Sequence, residues 1–122
     1  MDKLQLMKYY LVIFGVLSIV SSIVIPLFFP HFLWQPRNIP QEVMISSIYS
    51  SIGIVMIIIA RNPANHKSFI DFLIIVNVLH AVVMVVFAET IYHLVIDSAF
   101  IGFLGVLPLI LYPWKLADLF KY

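Results

Sequence analysis

An amide, an imidazole and a thioether stand close together in an otherwise apolar stretch: residues 77–84 read NVLHAVVM. At ~100° per helical residue, Asn77, His80, Ala81, Met84 and Ala88 fall in one narrow stripe. His93 and Asp97 lie four residues apart and so share a helical face, while Glu42, Ser46, Tyr49 and Gly53 make another stripe. Side chains of these types can hold a proton or a soft cation. Imidazole suits divalent transition metals, a thioether suits Cu(I), and a carboxylate adds a hard ligand. The same residues can equally be interhelical glue, through hydrogen bonds of ~0.6 kcal/mol each in membrane proteins. A mixed His/Met/Asp/Glu set lacks the regularity of a dedicated cage, so no metal and no cofactor is assigned. Haem fits worse still, because His80 and His93 fall ~10 Å apart along the membrane normal.

Nucleophilic catalysis has little to stand on. There is no G-x-S-x-G elbow, no H-E-x-x-H helix and no phosphate-cradling glycine loop. The chain has only four glycines, all inside apolar runs. Ser98 with His93 and Asp97 is a triad on paper only, since Asp97 and Ser98 are adjacent and ~100° apart on a helix. An enzyme is not expected.

The elements that position these residues follow from composition. The 122-residue length suits a single domain, 1–122. Soluble domains are ~45–50% apolar and ~25% charged, whereas this chain is 63% hydrophobic and 11% charged, with a mean hydropathy of +1.09. It cannot cover itself with polar surface, so its outer solvent is lipid. A net charge of +1 with scattered basic residues gives no field for nucleic acid. Cysteine is absent, which excludes disulfides and thiolate metal ligands.

Taken in order, the chain predicts four spans, at about residues 9–29, 41–60, 69–87 and 92–112. The first carries no charge and exceeds the ~7–15 apolar residues of a signal-peptide core. Gly15, Ser18 and Ser22 give it a small-residue strip for close helix approach. The loop that follows holds three prolines and Arg37, with Phe28, Phe29, Phe32 and Trp34 as an interfacial aromatic belt. Pro40 suits the first turn of the second helix, where the amide it lacks would be unpaired anyway. Arg61-Asn62-Pro63 stops that helix, and Ser68 is a cap for the third. Ser98, Gly102 and Gly105 form the close-packing face of the fourth. Pro113 and Trp114 end it, and residues 115–122 make a short amphipathic tail. No internal repeat of the kind found in inverted transporters is visible.

Basic residues in short loops set the orientation. The N-terminus (Lys3, Lys8), the second loop (Arg61, Lys67) and the tail (Lys115, Lys121) hold six of the seven. The expected fold is an all-α four-helix transmembrane bundle, N-in and C-in, with short loops. In that frame Glu42, Met44, His80, Met84, Glu89, His93 and Asp97 all lie in the outer half. Ionisable groups in hydrocarbon normally face the bundle interior, which points the His80/Met84, His93/Asp97 and Glu42/Tyr49 faces at one another, with Asn77 beside them. Asp71 is excluded from this cluster. It stands nine residues before His80, ~180° around the helix, near the cytoplasmic end. There Lys67, at i, i+4, and Arg61, ending the neighbouring span, read as its structural ion-pair partners; a cytoplasmic proton gate is the alternative.

Met44-Ile45, Ile48-Tyr49, Gly53, Ala60-Arg61-Asn62-Pro63, His66, Ser68, Asp71-Phe72, His80-Ala81, Met84, His93-Leu94 and Asp97 follow one another in order. That pattern, over residues 44–97, resembles an uncharacterised family of small four-helix bacterial membrane proteins, a domain of unknown function. The resemblance implies a multi-pass protein of the bacterial inner membrane and marks Arg61, Asp71, His80, Met84, His93 and Asp97 as family-pattern positions. It supplies no reaction and no ligand. The chain departs from small multidrug exporters in lacking a membrane-embedded glutamate in span one. The partner expected first is the lipid bilayer. At 14.0 kDa, four spans enclose little pathway, so a homodimer or a larger membrane complex is expected. Two functions follow: proton or metal-ion handling at the outer-leaflet cluster, or a structural or accessory subunit in which that cluster is glue.

Overall fold

The computed structural model describes residues 1–33, 35–91, 94–95, 98–115 and 118, with backbone alone at 98–100. The described residues are helical, with no strand among them. Helices α1 (Lys3–Phe28), α2 (Ile39–Ile59), α3 (Lys67–Val86) and α4 (Ser98–Ile110) follow in order, with single 3-10 turns at Pro30–Phe32 and Pro63–His66. Three stretches, Lys3–Phe28, Ile39–Ile59 and Pro63–Val86, are long and apolar enough to cross a membrane, and a shorter apolar helix follows. At ~1.5 Å per residue, α1, α2 and α3 run ~39, ~32 and ~30 Å against a hydrocarbon core of ~30 Å. The 13 residues of α4 give only ~20 Å. Of the expected fourth span, 92–112, residues 92, 93, 96 and 97 lie outside the described residues, as do Trp34 of the aromatic belt and Lys121 of the tail.

The helix ends show where local chemistry overrides the apolar pattern. α1 begins six residues before the expected span because Asp2 caps it, its Oδ1 accepting from the Gln5 amide at 2.7 Å. D-K-L-Q is a capping-box spacing, and it carries the helix through the polar N-terminus. Asn38 caps α2 in the same way, accepting from the Gln41 amide at 3.2 Å, and Pro40 sits in the first turn. Asn62 leaves the helical region before Pro63, with φ −146° and ψ 77°, as proline disfavours helix for the residue before it. Ser68 is not the cap expected for the third helix. The turn Pro63–His66 runs straight into α3, whose N-cap His66 makes no side-chain capping bond.

The chain packs as two compact units, Met1–Met7 with Asn62–Tyr122 and, separately, Lys8–Arg61. In the second unit α1 and α2 cross with their backbones almost touching. A Cβ on Gly53 would stand 2.5 Å from the Gly15 carbonyl oxygen, and a Cβ on Gly15 would stand 2.8 Å from that of Gly53. Only glycine allows this approach, which brings Ser22 Oγ within 2.7 Å of Ser50 Oγ. The pairs 15/53 and 22/50 make the two helices antiparallel. In the first unit α3 packs along α4. A Cβ on Gly105 would lie 3.0 Å from the Val78 amide nitrogen and 3.2 Å from Asn77 Cβ, while one on Gly102 would meet Ala81 Cβ at 3.6 Å. This pair is antiparallel too. The outer faces of the helices are aliphatic and open, with Ile58 57% and Leu79 60% exposed. Such faces suit lipid rather than water.

Candidate functional site

α3 carries Lys67, Asp71, Asn77, His80 and Met84 on its length. Its buried residues are Ile70, Asp71, Leu73, Ile74 and Asn77, a face set by helical periodicity. Further along, His80, Ala81, Met84 and Ala88 are half-buried, while Leu79, Val82, Val83, Val85 and Val86 between them are exposed. The stripe drawn from the sequence is therefore the less exposed side of the helix. Asn77 donates its side-chain N–H to the Leu73 carbonyl at 2.8 Å, so part of its amide is satisfied within its own helix. Gly105 brings the α4 backbone against the same turn.

The remaining members of the outer-half set are placed separately. Glu42 and Tyr49 belong to the other unit. The Glu42 carboxylate is held by Arg37, with Nε at 3.1 Å and Nη2 at 2.6 Å. That bidentate pair spans the turn capped by Asn38, and it raises the Arg37 guanidinium pKa chiefly through the hydrogen bond. Tyr49 is half-buried in α2. His93 and Asp97 lie outside the described residues. No three His, Asp or Glu side chains converge on a common point among the described residues.

The densest polar contact lies at the other end of α3. Asp71 is fully buried, one turn inside the helix, and both its oxygens accept. Lys67 Nζ donates to Oδ2 at 2.8 Å, and the Tyr112 hydroxyl donates to Oδ1 at 2.5 Å. An O–H···O contact of that length matches a charge-assisted bond to a carboxylate. Lys67 Nζ lies 5.9 Å from the centroid of the Tyr112 ring, within cation–π reach. The Lys3 ammonium reaches the Tyr112 carbonyl at 3.5 Å, and the Trp114 ring stands edge-on to Tyr112 at 5.2 Å. Tyr112, 2% exposed, is thus the hub joining the start of α1, the start of α3 and the end of α4. Arg61, the third residue of the expected ion-pair set, is exposed in the other unit and is in none of the salt bridges among the described residues.

Sequence reasoning found Lys67 and Asp71 through their i, i+4 spacing but missed Tyr112. The available signal was the order of the helices: in an antiparallel pair the end of α4 lies beside the start of α3, so a tyrosine at 112 comes level with an aspartate at 71. Along α3 and α4 the surface opens into a shallow groove of about 300 Å³ lined by Val78, Ala81, Val82, Val85, Gly102 and Val106. Its walls are aliphatic and supply no ligand atoms. No family model, no curated protein and no solved structure matches the chain.

Proposed function

We propose that this chain is a small four-span protein of the bacterial inner membrane, N-in and C-in, acting as a structural or accessory subunit whose intramembrane polar residues are glue. The observation that carries this reading is that polar side chains along the helices have partners inside the protein: Asp71 with Tyr112 and Lys67, Asn77 with Leu73, Ser22 with Ser50. Glu42, the carboxylate expected to complete an outer-leaflet site, is held by Arg37. The basic residues of the N-terminus, second loop and tail support the orientation. The resemblance of residues 44–97 to small four-helix bacterial membrane proteins supports the compartment. Open aliphatic faces on α1, α2 and α3 supply room for lipid and for neighbouring helices.

The test is crosslinking in native membranes through single introduced cysteines, which the cysteine-free sequence makes free of background. Cysteine at exposed Ile48 or Val82 is expected to capture a stoichiometric neighbour. Recovery as a lone monomer from every position sinks the reading. A second reading, proton or metal-ion handling, is favoured by one feature: His80 and Met84 share the less exposed stripe of α3 with Asn77. Flux into vesicles that His80→Ala abolishes, with the fold intact, would establish that second reading.

A further inference from the structure

α3 and α4 are antiparallel and consecutive, so the connecting segment closes one end of the pair and leaves the other open. At that end lies the buried cluster of Asp71, Lys67 and Tyr112, whose hydroxyl bridges 41 residues of sequence. Lys67 and Tyr112 are both hydrogen-bond donors to the carboxylate, one to each oxygen. Two donors on the two oxygens match the acceptor-only form of an ionised carboxylate. A proton on Oδ1 requires the Tyr112 hydroxyl to turn and give up donating to Asp71, and one on Oδ2 opposes the ammonium. In either case Lys67 loses the charge of Asp71 beside it, in a site where its side chain is mostly covered.

We propose that Asp71, Tyr112 and Lys67 form a proton-dependent clasp on the open end of the α3–α4 pair, closed with Asp71 ionised and released when it takes up a proton. Among the described residues, Lys67 from its own helix and Tyr112 from beyond α4 bear on the carboxylate. Lys3 at the start of α1 meets the Tyr112 carbonyl rather than the carboxylate. His66 precedes Lys67 and is exposed. The clasp rests on contacts inside one unit and does not depend on the accessory-subunit reading.

Trp114 is the built-in reporter, since its ring packs on Tyr112. In a Trp34→Phe, His66→Gln background it is the one remaining tryptophan of the two in the chain. The protein, in nanodiscs of neutral phosphatidylcholine, is titrated from neutral pH down through the carboxylate range. The expected result is a reversible red shift of Trp114 emission with helicity unchanged. Asp71→Asn is expected to show the shifted emission already at neutral pH and no transition. Tyr112→Phe keeps the ring and removes only the hydroxyl; it too is expected to lose the transition, and it decides the matter if Asp71→Asn does not fold. Emission that stays flat on acidification overturns the clasp. So does an acid shift that persists unchanged in Tyr112→Phe or in a folded Asp71→Asn.

Discussion

Alanine at Gly53 and at Gly102 makes the same chemical change in two helices, yet the surroundings predict opposite signs. At Gly53 the new methyl would stand 2.5 Å from the Gly15 carbonyl oxygen and 2.9 Å from Ile19 Cγ1. The nearer atom is backbone, so no rotamer change relieves it, and α1 and α2 must separate. Overpacking of this kind costs ~1–3 kcal/mol, and alanine regains ~0.5–1 kcal/mol over glycine inside a helix. The net expectation is a loss of ~1–2 kcal/mol. Gly15→Ala meets the same crossing from the other side, at 2.8 Å from the Gly53 oxygen. The two changes together should cost less than their sum, because one separation accommodates both. At Gly102 the nearest atom is Ala81 Cβ at 3.6 Å, ordinary contact, so only the helix-propensity gain remains and Gly102→Ala is expected to be neutral or stabilising by up to ~1 kcal/mol. Reversible unfolding in mixed micelles, followed by helical circular dichroism, measures all four variants. Gly53→Ala as stable as the parent, or Gly102→Ala as damaging as Gly53→Ala, would refute the packing described.

Other expectations follow from the same contacts. A double-mutant cycle of Tyr112→Phe with Asp71→Asn should give a coupling of ~1–2 kcal/mol, near the upper end for membrane proteins because the acceptor is charged; a coupling indistinguishable from zero contradicts the bond. Arg37→Ala should leave the unfolding midpoint where it is, because exposed ion pairs contribute little; a clear drop would make the Arg37–Glu42 pair structural.

Much of the fold is legible in the sequence because the bilayer imposes a coarse rule. Apolar runs bounded by prolines and cations located α2 and α3 to within a few residues, since Asn62-Pro63 and Asn38-x-Pro40 act locally. The start of α1 was less visible: Asp2 and Gln5 are short-range capping residues inside a segment whose polarity reads as a tail. Small residues announced which faces pack, as at Gly15 and Gly105. They did not announce partners, because the meeting of Gly15 with Gly53 depends on the register of two helices. Tyr112 escaped for a related reason. An interfacial tyrosine already has a sufficient explanation in the aromatic belt, and its bond to Asp71 depends on three segments far apart in sequence. Glu42 drew attention as a carboxylate inside a span, yet Arg37 five residues earlier lies across a capped turn and reaches it.

The central claim is that the intramembrane polar residues hold the fold rather than a ligand. The most direct measurement is calorimetric titration of the reconstituted protein with Zn²⁺ and with Cu⁺, run in parallel on His80→Ala. The account predicts no saturable binding that depends on His80. Stoichiometric, saturable heat in the parent that disappears in a folded His80→Ala would contradict it and assign the stripe of Asn77, His80 and Met84 to a metal ion.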